Sequence, residues 1–221
     1  MTTDDLVIGD YTHDDAIIAA TRADGQLRVR VYRLPEPVVV LGKGSKVDRE
    51  LDVSACLADK ATVLRRSGGG CAVVIDPGNL IVAVTIAAEG LGGNKRRFDL
   101  VSEWLIDGLA RSGVPGVVRA GTSDLALDDR KISGSCIHQW KDLVYYSATL
   151  LVEPDVELMT RWLQHPPREP DYRRGRSHAD FVTGVASKLD DADDATAVLH
   201  ARLQAVLDSR VKELIAALAA A

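Results

Sequence analysis

The chain has 221 residues, of which 46% are hydrophobic and 27% charged, and its formal net charge is −5. This balance is typical of a folded globular protein and excludes the disordered, collagen-like and coiled-coil classes. A negative net charge argues against nucleic-acid binding, which requires a basic surface. We therefore expect one globular domain over residues 1–221.

Cysteine and histidine usage gives no sign of a disulfide framework or a zinc site. The three cysteines, Cys56, Cys71 and Cys136, lie far apart, and an odd number fits reduced thiols. The histidines lack the spacing of zinc ligands. The N-terminal residues lack the apolar core of a signal peptide, and no apolar run approaches the ~20 residues of a membrane span. We expect a cytoplasmic protein that is not attached to a membrane.

Hydrophobic periodicity predicts interleaved helices and strands in the first part of the chain. The predicted elements are a helix over His13–Asp24, strands over Leu27–Tyr32 and Pro37–Leu41, a helix over Leu51–Lys60 and a strand over Ala61–Leu64. Two β-branched runs follow, Cys71–Ile75 and Asn79–Ala87, joined by Asp76-Pro77-Gly78. This turn signal predicts that the two runs form a β-hairpin.

The second part of the chain continues the pattern. We predict a helix over Phe98–Gly113 capped by Asp99, strands over Val117–Ala120, Asp124–Leu127 and Leu143–Val152, a helix over Asp155–Leu163, a loop over His165–His178 and a long helix over Ala195–Ala220. The hairpin signals argue against a purely parallel sheet. The predicted fold class is α+β, with a mixed, largely antiparallel sheet flanked by helices.

The sharpest chemical signal is the glycine run Ser67, Gly68, Gly69 and Gly70, which follows Arg65 and Arg66. Backbone without Cβ atoms can approach a ligand closely, and its N–H groups can converge on an anion. Arginine adds a planar cation for phosphate or carboxylate. A strand follows the run, so it is neither a P-loop nor a dinucleotide-binding turn. The alternative is a structural corner between strands.

A second signal is Lys131, followed by Ser133, Gly134 and Ser135. One ammonium among small residues on an apolar strand can neutralise a phosphate or a developing oxyanion. The alternative is an exposed lysine beyond a hairpin turn. The segment 42–46 (GKGSK) is a weaker phosphate-loop candidate, and the acidic cluster 190–194 is interpreted as the first turn of the last helix rather than as a cation site.

These two blocks together resemble the lipoate–protein ligase A family, within the group of biotin and lipoate ligases. Residues 65–79 read RRSGGGCAVVIDPGN, and residues 123–136 read SDLALDDRKISGSC. The family shows an arginine, three glycines and an Asp-x-Gly-Asn turn, then Asn-Asp-Leu and Lys-x-Ser-Gly. The similarity runs in consistent order from about Leu34 to Val152. It implies a core related to class II aminoacyl-tRNA synthetases and biotin ligases.

The resemblance implies a two-step activity. ATP and lipoate or octanoate, with Mg²⁺, would give acyl-AMP, and the acyl group would pass to a lysine of a lipoyl domain or H-protein-like carrier. Lys131 would be the catalytic residue. The substrate- or nucleotide-binding positions would be Arg65, Ser67, Gly68, Gly69, Gly70, Asp76, Asn79, Asp124, Ser133 and Gly134. Asp124 would be the one carboxylate near Mg²⁺. The acyl tail would lie against residues 72–75 and 80–84.

The chain departs from the family pattern at several positions. Ile75, Ser123 and Ser147 stand where the family has histidine, asparagine and histidine, and Cys71 and Cys136 stand where alanine is common. We also expect residues 1–221 to lack the C-terminal accessory domain of many relatives, so that a separate accessory protein is one expected partner.

Two alternatives stay open at this point. An octanoyltransferase would form a thioester on cysteine without ATP, which would require Cys71 or Cys136. A non-catalytic subunit would only bind lipoyl domains. For partner binding, the basic segment Arg168–Arg176 is either a docking surface for an acidic carrier or a loop packed on the core.

Overall fold

The computed structural model describes residues 5–189 and 193–220. Of the acidic cluster 190–194, only the last two residues lie within this part. The strands are β1 (Ile8–Asp10), β2 (Arg28–Tyr32), β3 (Val38–Leu41), β4 (Thr62–Arg65), β5 (Val73–Ile75), β6 (Asn79–Ala87), β7 (Val118–Ala120), β8 (Asp124–Leu127), β9 (Arg130–Gln139) and β10 (Leu143–Leu151).

The helices range from 4 to 18 residues in length. They are α1 (Asp15–Asp24), α2 (Val47–Glu50), α3 (Val53–Ala58), α4 (Asn94–Arg111), α5 (Val156–Trp162), α6 (His178–Phe181), α7 (Ala195–Ser209) and α8 (Val211–Ala219). Short 3₁₀ turns lie at Asp171–Arg173 and Ala186–Lys188. In the part of the chain described here, no helix has the length and hydropathy to cross a membrane.

The strands form two sheets. The larger is antiparallel with the order β2-β6-β10-β9-β8-β7, and the smaller has the order β1-β4-β3-β5 with its first three strands parallel. The α+β class and the largely antiparallel character are confirmed. The sequence did not indicate that the strands divide into two sheets.

Strand β6 is buried along all but its last residue because both of its faces are covered. Leu80, Val82 and Val84 belong to the core beneath α4, α7 and α8, whereas Ile81 and Ala83 face the core on the side of α1. Successive side chains of β6 therefore alternate between two buried cores, instead of between a core and solvent.

The free edge of β2 is covered by α7. The Val31 N–H donates to Gln204 Oε1 at 2.6 Å, and the Val31 carbonyl accepts from His200 Nε2 at 2.8 Å. Unpaired strand edges invite association with other chains, and side-chain partners from a helix remove that exposure. The large sheet is thereby closed at one end by the C-terminal part of the chain.

The predicted hairpin between Cys71–Ile75 and Asn79–Ala87 is wrong. Strand β5 pairs with β3 in the small sheet, and β6 pairs with β2 and β10 in the large one. The Asp76 carboxylate accepts from the N–H groups of Gly78 and Asp155, and the Gly78 carbonyl accepts from the N–H of Glu153. These bonds turn the chain from one sheet into the other.

Three helix predictions also need correction. Helix α4 begins at Asn94 after Gly93, and Asp99 lies in its second turn, where it pairs with Lys95 and Arg119 instead of capping. The first turn of α4 is polar, so the hydrophobic periodicity did not reveal where this helix begins. The predicted helix Leu51–Lys60 is shorter than expected: Leu51 forms a bridge with Leu163, and only Val53–Ala58 (α3) is helical within this range. The short helix α2 precedes the predicted range.

The long C-terminal helix is divided at Arg210. The Arg210 backbone leaves helical geometry, and its guanidinium contacts Asp107, Glu213 and the Trp104 carbonyl. The Trp104 indole N–H donates back to the Arg210 carbonyl at 3.2 Å. This reciprocal contact with α4 outweighs the propensity of the local sequence for a continuous helix.

We predict that Gly78→Ala destabilises the fold. A Cβ at Gly78 would lie 2.0 Å from the Glu153 carbonyl oxygen, which is backbone and cannot move aside. The free energy of unfolding measured in urea should fall by about 2 kcal/mol or more, as for other buried overlaps. An unfolding free energy within about 0.5 kcal/mol of the parent protein would contradict this account of the crossover.

Candidate active site

A cleft of about 490 Å³ lies between the two sheets. Strands β9 and β10 form its floor, β5 forms one wall, and the segment between α5 and α6 closes it from above. Residues Val73–Ile75 line it as expected for an acyl slot, but residues 80–84 do not, because they face the two cores. The site is therefore built where the sheets meet.

Lys131 points into this cleft and is held by a carboxylate. Its Nζ lies 2.8 Å from Asp124 Oδ1, and the Tyr172 hydroxyl donates to Asp124 Oδ2 at 2.9 Å. The lysine side chain is 25% exposed and the aspartate side chain 8%. A Cβ at Gly134 would lie 2.9 Å from the Lys131 ammonium, so the small residue makes room for it.

A β-bulge explains how Lys131 reaches this face. Asp124 lies opposite Gly134, but Ala126 lies opposite Lys131, so β9 carries one extra residue between these pairs. The extra residue, Ile132, packs in the core. The bulge brings Lys131 to the same side of the sheet as Asp124 and Gly134, whereas regular alternation would place it on the other side.

The glycine loop is anchored through its carbonyl groups. Arg66 donates to the carbonyls of Gly69, Cys71 and Val40, and Ser45 Oγ lies 3.2 Å from the Gly70 carbonyl oxygen. In a trans peptide, each carbonyl points away from the next N–H. The N–H groups of Gly70 and Cys71, which follow the Gly69 and Gly70 carbonyls, therefore point away from these anchors, as an anion-binding backbone requires. The Ala72 N–H donates instead to Glu50.

Three glycines of this region occupy positions where a side chain would cause strain or overlap. Gly70 has φ +96°, a conformation that side-chain-bearing residues rarely adopt. A Cβ at Gly68 would lie 2.6 Å from Cys136 Sγ, and one at Gly42 would lie 2.0 Å from the Gly70 carbonyl oxygen. The loop thus packs against β9 on one side and against residues 42–45 on the other.

Glu50 joins the two loops beneath the cleft. It is 6% exposed, and its carboxylate accepts from Ser45 Oγ at 2.9 Å, from the Lys46 N–H at 3.1 Å and from the Ala72 N–H at 2.6 Å. A buried carboxylate is stabilised by such hydrogen bonds. Only the pattern of contacts in three dimensions identifies Glu50, since nothing in its local sequence marks it.

The predicted site residues divide into two groups. Gly70, Asp124, Lys131 and Gly134 line the cleft, and Gly68 packs against Cys136 of its floor. The remaining positions do not line the cleft. Arg65 donates to the carbonyls of Gly42 and Ser45, and Ser67 and Gly69 are exposed on the loop. Asp76 and Asn79 are buried in the crossover turn, and Ser133 is fully buried in β9.

Several cleft residues carry no signal in the local sequence. Arg66 rather than its neighbour Arg65 lines the cleft, and His178 lines it from the segment predicted as a loop. Tyr172 of the same segment contributes through its hydrogen bond to Asp124. Burial, with a contribution from the nearby charge of Arg173, lowers the pKa of His178 to about 4, so this imidazole is neutral at pH 7.

Arg173 is not available for docking a partner. It is only 4% exposed, its guanidinium stacks on Phe181, and it lines the cleft. Within the segment Arg168–Arg176, the exposed arginines are Arg168 and Arg174. The segment therefore combines a buried arginine that faces the cleft with a basic outer surface, and neither sequence interpretation describes it fully.

The cysteines Cys71 and Cys136 both line the cleft, and both are free thiols. Burial raises the pKa of the Cys136 thiol, although Arg66 lies close enough to oppose the shift. A raised pKa leaves less of the nucleophilic thiolate at neutral pH.

The site contains few groups that hold metal ions. Across residues 5–189 and 193–220, no three His, Cys, Asp or Glu side chains form a metal-binding group. Both oxygens of Asp124 already accept hydrogen bonds. Nucleotide-bound Mg²⁺ typically takes one or two carboxylates together with phosphate oxygens, so Asp124 would suffice only when phosphates supply the other ligands.

We predict that Gly42→Ala loosens the glycine loop, whereas Gly44→Ala does not. The Gly42 Cβ would displace the Gly70 carbonyl, but a Cβ at Gly44 meets no atom within 4 Å. Hydrogen–deuterium exchange should therefore accelerate at the Ala72 N–H, which bonds to Glu50, only in the Gly42 variant. Equal exchange in both variants would show that the loop does not depend on this contact.

Comparison with known proteins agrees with the two motifs. A profile of the lipoyl protein ligase A/B catalytic domain matches residues 11–206. A lipoate–protein ligase of Streptococcus pyogenes is 30% identical over 154 residues, which are 70% of this chain and 44% of that protein. One of Bacillus subtilis is 24% identical over 168 residues, 76% of this chain and 50% of that protein. The chain spans about half the length of these curated relatives.

Solved structures share the fold. The bipartite lipoate protein ligase of Thermoplasma acidophilum, studied with its E2 lipoyl domain, matches with a TM-score of 0.71 at 19% identity over 95% of this chain and 88% of that one. A lipoate–protein ligase A bound with ATP matches with a TM-score of 0.70 at 18% identity over 94% and 91%. At these identities the similarity establishes the fold.

The profile covers most of the chain, and its two sequence blocks form the loop and the lysine that meet at the cleft. This chain therefore belongs to the lipoyl protein ligase A/B catalytic-domain family.

Proposed function

We propose that this protein is an ATP-dependent lipoate–protein ligase that activates lipoate or octanoate to acyl-AMP and transfers the acyl group to a lysine of a lipoyl-carrier protein. The observation that carries the proposal is the position of Lys131, a single ammonium held by Asp124 at one end of a cleft with apolar strand residues along its wall. We further propose that residues 1–221 act as one catalytic domain.

The two steps place similar demands on the site. In the first, the carboxylate oxygen of the acid attacks the α-phosphorus of ATP and pyrophosphate leaves. In the second, the amine of the carrier lysine attacks the acyl carbon, loses a proton and releases AMP. Negative charge grows first on phosphate oxygens and then on the acyl oxygen, and one ammonium between them stabilises both. The second step otherwise needs mainly positioning.

Asp124 would act as a positioning residue. Its two oxygens hold the Lys131 ammonium and the Tyr172 hydroxyl, which fixes the lysine over Gly134 before a ligand arrives. The anchored glycine loop would supply N–H groups to the phosphate from the other side. Mg²⁺ bound with ATP would supply neutralisation of the pyrophosphate charge.

The partners follow from the proposed chemistry and from the relatives. The Thermoplasma acidophilum ligase that shares this fold is bipartite and was studied with an E2 lipoyl domain. We propose a lipoyl domain or H-protein-like carrier as acceptor for this chain, and a separate accessory protein as a second partner if the chain does not adenylate the acid alone. The exposed Arg168 and Arg174 would face the carrier.

Mass spectrometry of a lipoyl domain tests the function directly. Incubation with the protein, ATP, Mg²⁺ and lipoate should add one lipoyl group if the chain acts alone. If only chemically made lipoyl-adenylate gives the product, the chain is a transferase that needs its accessory partner for adenylation. No product under either condition would refute the proposal.

We predict that Lys131→Ala abolishes acyl transfer from lipoyl-adenylate, with a loss of at least about a hundredfold, as for removal of other groups that stabilise an oxyanion. The matched control is Lys95→Ala, because the Lys95 side chain on α4 is 90% exposed. Rates by mass spectrometry and thermal unfolding of both variants separate chemistry from folding. Transfer by the Lys131 variant at the control rate would remove Lys131 from the mechanism.

The octanoyltransferase alternative predicts an acyl-thioester on cysteine. Because burial raises the pKa of Cys136, we expect its alkylation by iodoacetamide at pH 7 to be slower than that of free cysteine. We also expect no hydroxylamine-sensitive octanoyl adduct on Cys71 or Cys136 after incubation with octanoyl-acyl carrier protein. Detection of such an adduct by peptide mass mapping would favour the thioester mechanism instead.

A further inference from the structure

Across residues 5–189 and 193–220, Lys131 has one anionic partner, the carboxylate of Asp124. The lysine Nζ lies 2.8 Å from Asp124 Oδ1, and the side chain of this aspartate is only 8% exposed. Tyr172 donates to the other carboxylate oxygen at 2.9 Å. An opposite charge at this distance favours the charged form of a lysine, so the pair holds Lys131 as an ammonium.

The surroundings of this pair disfavour a positive charge. The imidazole of His178 lines the same cleft, and its pKa is lowered to about 4 by burial and then by the charges of Arg173, His165 and Lys131. Arg173 is itself only 4% exposed. A cation in such a site is stable when a carboxylate accompanies it and costly when none does.

The other carboxylates that line the cleft are engaged elsewhere. Glu50 accepts three hydrogen bonds beneath the glycine loop. Glu169 lies 2.8 Å from His165 Nε2 and accepts from the Gly175 N–H at 3.0 Å. Without the charge of Asp124, the lysine would therefore be left partly buried and near cations. Both effects favour the neutral amine over the ammonium.

The proposed function puts an activated acyl group beside this nitrogen. A hydrogen bond of about 2.9 Å to the acyl oxygen, with a C=O bond of about 1.23 Å, leaves Lys131 Nζ about 3.7 Å from the acyl carbon. Groups that react within a complex are about 3–3.5 Å apart, and their effective concentrations reach about 10⁵–10⁸ M. A neutral amine at Lys131 would therefore compete strongly with the amine of the carrier.

We propose that Asp124 prevents self-acylation: it holds Lys131 as an ammonium, so that this lysine does not take the acyl group before the carrier does. Without that charge, the neutral Lys131 amine attacks the acyl carbon of acyl-AMP. An amide bond to Nζ forms, the bond from the acyl carbon to the phosphate oxygen breaks, and AMP leaves with the electron pair. The amine proton passes to water. The inference rests on the proposed function for the acyl-AMP.

Intact mass spectrometry of Asp124→Asn tests this proposal without carrier or ATP. Incubated with chemically made lipoyl-adenylate at pH 7, the variant should gain one lipoyl group, which peptide mapping should place on Lys131. The adduct should form at least about tenfold faster than in the parent protein, because an opposite charge within about 4–6 Å changes the deprotonated fraction by about ten- to a thousandfold. A folded variant without this adduct would overturn the proposal.

Two further variants serve as matched controls. Tyr172→Phe removes the hydroxyl that donates to Asp124 but leaves the carboxylate, so Lys131 should stay unmodified at pH 7. The double variant with Asp124→Asn and Lys131→Ala should gain no lipoyl group above the background, which the 90% exposed Lys95 measures in every sample. Equal acylation of Lys131 in the Tyr172 and Asp124 variants would show that loose positioning, and not the lost charge, is responsible.

The parent protein keeps the test decisive if the Asp124 variant does not fold. In the parent protein, acylation of Lys131 by lipoyl-adenylate should increase as the pH is raised from 7 to about 10, where lysine amines lose their protons. An unmodified Lys131 across this range, in samples where Lys95 is acylated, would show that geometry and not the proton protects the lysine. That result would also overturn the proposal.

The outcomes separate this inference from the proposed function. Transfer to a lipoyl domain by the parent protein, with Lys131 unmodified in every sample, would support the ligase and refute protection by Asp124. An adduct on Lys131 in the Asp124 variant, with no transfer by the parent protein, would do the opposite. The absence of both transfer and adduct would refute both proposals.

Discussion

The site depends on one irregularity in the large sheet, the bulge in β9 that places Lys131 beside Asp124. Without the extra residue Ile132, alternation would bury the ammonium in the core or place Gly134 away from it. The cost of a partly buried lysine is offset by a carboxylate at 2.8 Å, and that carboxylate is in turn fixed by Tyr172. The position of the lysine that we propose as catalytic is therefore set by the register of β8 and β9.

The second constraint is the junction between the sheets. The cleft exists because β5 leaves the glycine loop to join the small sheet, while β6 crosses to the large one. Arg66 and Glu50 hold the loop at this junction, one through backbone carbonyls and the other through a backbone N–H. In the proposed mechanism the loop presents N–H groups to an anion, and the bonds from Arg66 to its carbonyls would keep it rigid, which is the preorganisation that such catalysis requires.

The features that could be predicted from the sequence are those that neighbouring residues encode. The glycine run, Lys131 and the fold class are visible because adjacent residues carry the motif and the periodicity. The pairing of β5 was not predictable, since Asp76-Pro77-Gly78 specifies a turn but not the sheet into which the next strand goes. The break at Arg210 and the roles of Glu50 and Tyr172 depend on partners far along the chain, and such contacts leave no trace in a local pattern.

The covered edge of β2 has a consequence for the order of folding during synthesis. Residues 28–32 emerge early, but the side chains that satisfy Val31 belong to residues 200 and 204 of α7. Until that helix has left the ribosome, the large sheet has an open edge and one core without its cover. Closure of the β2 edge thus waits for α7, and the edge stays open to other chains until that helix has emerged.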